Sequence, residues 1–157
     1  MNEQEALRLA VELMESAEAA FLTTIDGDGF PQSRAMLNLR NARKFPELIG
    51  LFSGHRDDFT VYFTTNTSSP KVVQIRAKPA VSVYYCSPAE WRGLMLGGMM
   101  EIVADPGLKK ALWQEGWEMY YPDGATDPDY TILRLAPAVA KYYHQMSNCT
   151  FGLESDR

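Results

Sequence analysis

Apolar residues fall at helical spacing between Glu3 and Ala19, at Ala6, Leu7, Leu9, Ala10, Val11, Leu13 and Met14, with acids interleaved. That period predicts an amphipathic helix. The pattern then changes to short β-branched and aromatic runs. Ala20–Ile25 and Pro31–Leu37 flank Asp26-Gly27-Asp28-Gly29 and predict a β-hairpin, because Asp-Gly tolerates the positive φ angles of a tight turn. Glu47–Phe52 and Phe59–Thr65 predict two more strands, joined through polar residues 53–58. A short helix over Val72–Lys78 follows, with Ser69 as N-cap, Pro70 at its first position and Pro79 as its stop. Ala80–Tyr85 predicts a strand. Trp91–Ala104 predicts a long one broken at Gly97-Gly98, where adjacent glycines imply a bulge or a close backbone approach. Gly107–Tyr121 returns to a helical period, and Tyr130–Tyr143 predicts a last strand interrupted near Pro137. Mostly sequential strands with few helices imply an antiparallel barrel or strongly bent sheet in an α+β setting.

Composition narrows what such a fold does. At 157 residues, 46% hydrophobic and 22% charged, the chain suits one globular domain over residues 1–157. A formal charge of -5 argues against nucleic acid as a partner, since phosphate-backbone binding wants a basic face. No apolar run approaches the ~20 residues that cross a bilayer, and Met1-Asn2-Glu3-Gln4-Glu5 lacks the character of a signal peptide. A cytoplasmic protein that does not engage membranes is expected. Cys86 and Cys149, without CxxC spacing, are expected to be reduced thiols.

The densest chemistry lies at Thr64-Thr65-Asn66-Thr67-Ser68-Ser69-Pro70-Lys71. A strand ends in hydroxyls, a helix begins, and a cation stands in its first turn. Free amides at a helix start and the helix dipole favour an anion, and Lys71 adds a full charge. Arg34 lies on a strand among apolar neighbours, where a charge needs a partner or a rim position. Arg34, Thr65, Ser69 and Lys71 are expected to converge on one dianion, Arg as a bidentate fork and Lys as a point charge. The same residues also fit a capped helix with a solvated lysine and an arginine paired to a surface carboxylate.

Taken together, Ser33-Arg34-Ala35-Met36-Leu37, Phe63-Thr64-Thr65-Asn66, Ser69-Pro70-Lys71, Gln74-Ile75 and Lys78-Pro79-Ala80-Val81 resemble the FMN-binding split barrel of pyridoxamine 5′-phosphate oxidase-like proteins. Trp113, Trp117, Tyr121-Pro122-Asp123-Gly124 and Tyr130–Tyr143 resemble the late helix, turn and final strand of the small general stress protein branch. The resemblance spans about Ala20 to Tyr143. It implies a mainly β, antiparallel six-stranded split β-barrel with flanking helices, working as a homodimer with FMN at the subunit interface. By position, Arg34, Ser69 and Lys71 would hold the phosphate, and Thr64 and Thr65 phosphate or ribityl oxygens. The backbone of Ala35, Met36 and Leu37 would lie along the isoalloxazine edge, and Trp91 and Arg92 near where the partner subunit closes the site. The protein is then expected to be an oxidoreductase of unknown substrate, with NAD(P)H or a small redox molecule as its reaction partner. A non-catalytic flavin-binding or stress-related dimer, or the same fold with deazaflavin or haem, are the alternatives.

Departures from the family bear on activity. Pro70 stands where true pyridoxamine phosphate oxidases carry a basic residue, Gly93 where they tend to carry a glutamine, and Gln145-Met146-Ser147-Asn148 replaces a late Arg-x-His segment. Vitamin B6 oxidation is therefore not expected. Asp26-Gly27-Asp28 fails as a calcium loop, with Pro31 and Leu37 at positions that require glycine and a carboxylate. Asp123, Asp127 and Asp129 read as a solvated turn, and no metal site is expected from two histidines at unrelated positions, although His144 is a candidate proton donor.

Overall fold

The computed structural model describes residues 1–153; the last four residues of the domain expected over 1–157 lie outside that range. Helix α1 (Glu3–Ser16) starts at Asn2, whose side chain accepts from the Glu5 amide at 2.9 Å, and it buries Ala6, Ala10, Val11, Leu13 and Met14. Strands β1 (Ala19–Ile25) and β2 (Pro31–Leu37) pair from Ala19↔Leu37 to Ile25↔Pro31. The connection is wider than a two-residue Asp-Gly turn. Asp26 Oδ1 accepts from the Asp28 and Phe30 amides at 2.9 Å, and only Gly29 adopts positive φ.

The strand expected over Glu47–Phe52 does not form. Pro46–Leu48 is a 3₁₀ turn and α2 spans Ile49–Ser53. Leu48 and Phe52 are buried while Ile49 is exposed, which is the one-sided i, i+4 pattern of a helix rather than the alternation of a strand. The chain continues through β3 (Val61–Asn66), α3 (Pro70–Ala77), β4 (Ala80–Ser87), β5 (Arg92–Val103), α4 (Pro106–Leu112), β6 (Tyr130–His144) and β7 (Ser147–Gly152). Helix α4, capped by Asp105, ends well short of the expected Tyr121. Beyond it Gly116 takes φ 91° and a 3₁₀ turn covers Trp117–Met119.

The strands form an antiparallel path β2-β1-β4-β5-β6-β3, with β7 paired to β6 off the path. Strands β2 and β3 approach without pairing, so the barrel is split there. The sequence did not predict β7: of Ser147-Asn148-Cys149-Thr150-Phe151-Gly152, only Phe151 is buried, and a single buried position makes no period. Strand β6 is unbroken at Pro137. The irregularity is a register shift at Gly97/Gly98, where a Cβ on Gly98 would lie 3.0 Å from Leu135 and 3.1 Å from the Ala136 carbonyl. The glycine pair thus marks both a bulge and a close backbone approach.

Two cores result. One fills the barrel and the underside of α1, with Leu22, Phe63, Val83, Leu94, Leu96 and Leu133 at its centre. The other lies across the opposite face of β3 and β6 and gathers Leu39, Leu48, Phe52, Tyr62, Leu112, Trp117, Tyr121, Tyr130 and Ile132. The outer face of β1, β2, β4 and β5 has no cover in the single chain and leaves Phe21, Leu37 and Met99 exposed. Among the described residues no helix is long and apolar enough to cross a membrane, and no cluster of His, Cys, Asp or Glu could hold a metal.

On that outer face the Tyr84 and Tyr143 hydroxyls bond at 2.6 Å across Gly93. A Cβ there would sit 2.3 Å from Tyr84 Oη and 2.6 Å from the Tyr143 ring, so a glutamine at position 93 has no room unless both phenols move. Gly93→Ala is expected to lower stability by about 1–3 kcal/mol, as overpacking does, with Tyr84→Phe restoring part of the loss. Equal denaturation midpoints for wild type and Gly93→Ala contradict it.

Candidate functional site

The split between β2 and β3 is a groove lined by Ala35, Met36, Leu37, Thr64, Thr65, Asn66, Lys71, Trp117, Tyr120 and Tyr121. Its polar end is built by three elements. Strand β3 supplies Thr65, the turn before α3 supplies Ser69, and the first turn of α3 supplies Lys71, whose Nζ donates to Thr65 Oγ1 at 3.0 Å and to Ser69 Oγ at 3.2 Å. Because both hydroxyls accept from Lys71, their own hydrogens are free to donate elsewhere. Arg34 reaches the same end from β2. Its Nη1 donates to Thr24 Oγ1 at 2.7 Å and to the Leu22 carbonyl at 3.3 Å, and its Nη2 to Gln74 Oε1 at 3.3 Å. Gln74, one turn beyond Lys71 on α3, also accepts from Thr24 Oγ1 at 2.6 Å, so it holds the guanidinium in place.

The two cations repel. Burial lowers the Arg34 pKa, and burial followed by the charge of Arg34 lowers that of Lys71. Neither pairs with a carboxylate among the described residues. Converging, partly buried cations without counter-ions, beside hydroxyls with hydrogens to give, make an anion seat.

The main-chain contribution is smaller than the sequence implied. Ser69 occupies the N-cap position, but its side chain makes no capping bond. The Thr67 and Ser68 amides are taken by Asp129, at 2.8 Å each, the Ser69 amide by the Asn66 carbonyl at 3.0 Å, and Pro70 has no N–H. The Val72 amide bonds the Ser69 carbonyl at 3.1 Å, so the side chains carry most of this seat and the Lys71 amide is the first-turn donor left beside them.

The apolar end has two walls. Residues Ala35–Leu37 of β2 form one. Trp117, Tyr120 and Tyr121 form the other, anchored in the second core by the rings of Trp113, Trp117, Tyr121 and Tyr130, whose centroids lie 4.8–6.5 Å apart. The Asp123–Asp129 turn fastens this wall to the polar end: Asp127 accepts from the Asp123 and Asp129 amides, while Asp129 accepts from Asn66 at 2.7 Å and from Ser68. Those bonds lower the Asp129 pKa, Asn66 first.

Eight of the ten expected residues, Arg34, Ala35, Met36, Leu37, Thr64, Thr65, Ser69 and Lys71, therefore sit at this groove or its polar end. Trp91 and Arg92 do not line it. They lie at the β4–β5 turn, Trp91 73% exposed in a left-handed conformation, Arg92 with its side chain 11% exposed and Nε 3.7 Å from Glu90. The sequence does not single out Gln74, Trp117, Tyr120 and Tyr121 as site residues; the aromatic run from Trp113 to Tyr121 is the available signal, but its meeting with the distant hydroxyl run from Thr64 depends on the β3–β6 pairing.

Comparison with known proteins bears on the fold and the family. The family model described as "Pyridoxamine 5'-phosphate oxidase like" matches residues 51–155. Among solved structures, a protein from Clostridium acetobutylicum related to general stress protein 26 of B. subtilis is 30% identical with a TM-score of 0.77, covering 97% of each chain. General stress protein 26 from Bacillus anthracis superposes with a TM-score of 0.67 at 19% identity, over 96% of this chain and 100% of that one. A heme binding protein from Mycobacterium smegmatis shares the fold at a TM-score of 0.66 and 12% identity, over 94% of this chain and 57% of its own. No curated protein matches. A split barrel with this strand order, together with a family match over most of its length, makes the chain a member of the pyridoxamine 5′-phosphate oxidase-like family.

Proposed function

We propose that the chain binds FMN in the β2–β3 groove, as a homodimer with the flavin at the subunit interface, and acts as an oxidoreductase on a small redox substrate or NAD(P)H. One observation carries the reading: Arg34 and Lys71, paired with no carboxylate among the described residues, converge with Thr65 and Ser69 at one end of a groove whose remainder is strand backbone and aromatic rings. That donor set fits a terminal phosphate, and the flat apolar walls fit a ring. When bound, the flavin supplies hydride or electron transfer. The chain's residues bind and orient: Lys71 and Arg34 neutralise the dianion, Thr65 and Ser69 turn their hydrogens toward it, and Gln74 fixes the guanidinium.

The groove encloses about 260 Å³ in one chain, below the roughly 300–1,000 Å³ of ordinary ligand pockets. A second copy packed on the exposed outer sheet face, with its Trp91 over the ring, supplies the missing wall in this reading. The crowded Gly93 supports the exclusion of true pyridoxamine phosphate oxidase activity. Haem is disfavoured because neither histidine lines the groove, His55 being bonded to Asp58 and His144 ending β6. Both cysteines are free, as a cytoplasmic protein's would be.

The test is a titration with FMN followed by thermal stability and absorbance, across pH. FMN raises the melting temperature, since it binds the native state, and NADH or NADPH bleaches the bound flavin of an enzyme but not of a store. Affinity falls below about pH 6, where a phosphate monoester takes up its second proton. It also falls on the alkaline side. The free Lys71 pKa lies below the ordinary 10.5 and a dianion raises it, so the lysine's contribution is complete below the free value and disappears as pH climbs to the bound one. Lys71→Arg moves that alkaline edge upward. A protein that gains no stability from FMN at any pH sinks the reading.

A further inference from the structure

Within the reading of the groove as an FMN site, we infer that Tyr120 is a specificity-determining residue of that site, contacting the planar, uncharged end of the ligand from the same chain that grips its phosphate. Tyr120 lines the groove yet remains 52% exposed. Its neighbours on the wall do not: Trp117 is 7% and Tyr121 4% exposed, both committed to the second core. What sets Tyr120 apart is its place: the even more exposed Met119 beside it does not line the groove, whereas the Tyr120 ring does, from a fixed support and free to meet a ligand.

The support is rigid for stated reasons. The amides of Tyr120 and Tyr121 both bond the Trp117 carbonyl at 2.9 Å, and the Tyr120 ring meets the Tyr121 ring edge-on at 6.3 Å. Tyr121 in turn tilts against Tyr130 at 4.8 Å, and Tyr130 donates to the Lys109 carbonyl at 2.9 Å. Side-chain placement along the groove also separates the tasks. Residues Thr65 and Lys71 mark the charged end. Thr64 points to the opposite side of β3 from Thr65, as successive strand residues must, and stands against Tyr121, where its hydroxyl opposes the rise that burial gives the Tyr121 pKa. A ligand anchored at Lys71 and lying along Ala35–Leu37 therefore brings its uncharged end to the side of β3 that carries Tyr121 and Tyr120. An electron-rich phenol beside a ring system is favourable by offset or edge contact.

This division predicts a difference between two ligands. Tyr120→Ala should weaken FMN binding about tenfold and leave the binding of ribose 5-phosphate, which has the phosphate but no flat ring, unchanged. Tyr120→Phe should bind FMN like the wild type, because the contact is with the ring and not the hydroxyl. Lys71→Ala should weaken both ligands alike. Calorimetric titration reads all of these, and the circular dichroism and melting temperature of Tyr120→Ala should match the wild type because the side chain is half exposed. Equal FMN affinity in wild type and Tyr120→Ala overturns the role of Tyr120 while leaving the FMN site standing. Parallel losses for FMN and ribose 5-phosphate in Tyr120→Ala also overturn it, assigning the residue to the shape of the seat. If the wild type binds ribose 5-phosphate but not FMN, both readings fall.

Discussion

The double substitution Arg34→Ala with Lys71→Ala is expected to weaken FMN binding by roughly 10²–10⁴-fold, since each charge-assisted hydrogen bond is worth about 1.5–3 kcal/mol and each 1.4 kcal/mol is tenfold. Both side chains are partly solvated, which places the effect toward the lower end. Loss of Trp91, which does not line the groove of its own chain, should cost much less. Stability in the absence of ligand should move the other way for Lys71→Ala. Removing one of two neighbouring cations that pair with no carboxylate among the described residues relieves repulsion, so the ligand-free melting temperature should stay level or rise. Binding sites commonly carry such a conflict between function and stability. Calorimetric titration and a ligand-free melt decide the matter; an unchanged dissociation constant in the double variant removes the clamp.

Trp117→Ala is expected to produce the largest loss of stability of any single change considered, about 3–5 kcal/mol, as for other buried aromatics truncated to alanine. Trp117 meets Trp113, Tyr130 and Phe45 edge-on, with centroids at 6.0, 6.5 and 6.5 Å. Its removal leaves a void at the centre of the second core that rigid neighbours cannot fill. Because the same residue lines the groove, FMN affinity should fall with it, whereas the Lys71 variant separates affinity from stability. Urea denaturation gives the measurement, and a midpoint within error of the wild type would show that the second core relaxes around the gap.

Legibility from sequence followed the strength of the local period. The run Val61-Tyr62-Phe63-Thr64-Thr65 buries residues on both of its faces, and its β-branched and aromatic content identifies it as a strand without any partner in view. The Gly97-Gly98 break told of the bulge because glycine pairs have few other uses in a strand. Ile49-Gly50-Leu51-Phe52 misled because a short apolar run has no period long enough to separate strand from helix. The helix expected to reach Tyr121 misled for a different reason. Leu108, Leu112, Trp113 and Trp117 are all packed into or against one core, but after Leu112 the chain delivers them through 3₁₀ and left-handed turns. In the site, Arg34 and Lys71 were recoverable as charges in unusual places. Gln74 and Tyr120 were not, because their roles exist only once α3 lies against β1 and the 117–121 segment lies against β3, contacts between residues far apart in the chain.

No hydrogen-bond ladder crosses from β2 to β3. Elsewhere in the sheet the spacing of neighbouring strands is set at ≈ 4.7–4.9 Å by backbone pairing, but at this seam the gap is free to be whatever the side chains on its two lips make it. A lineage with such a seam can exchange one flat guest for a thicker or differently charged one by substituting lip residues, while every strand keeps its register.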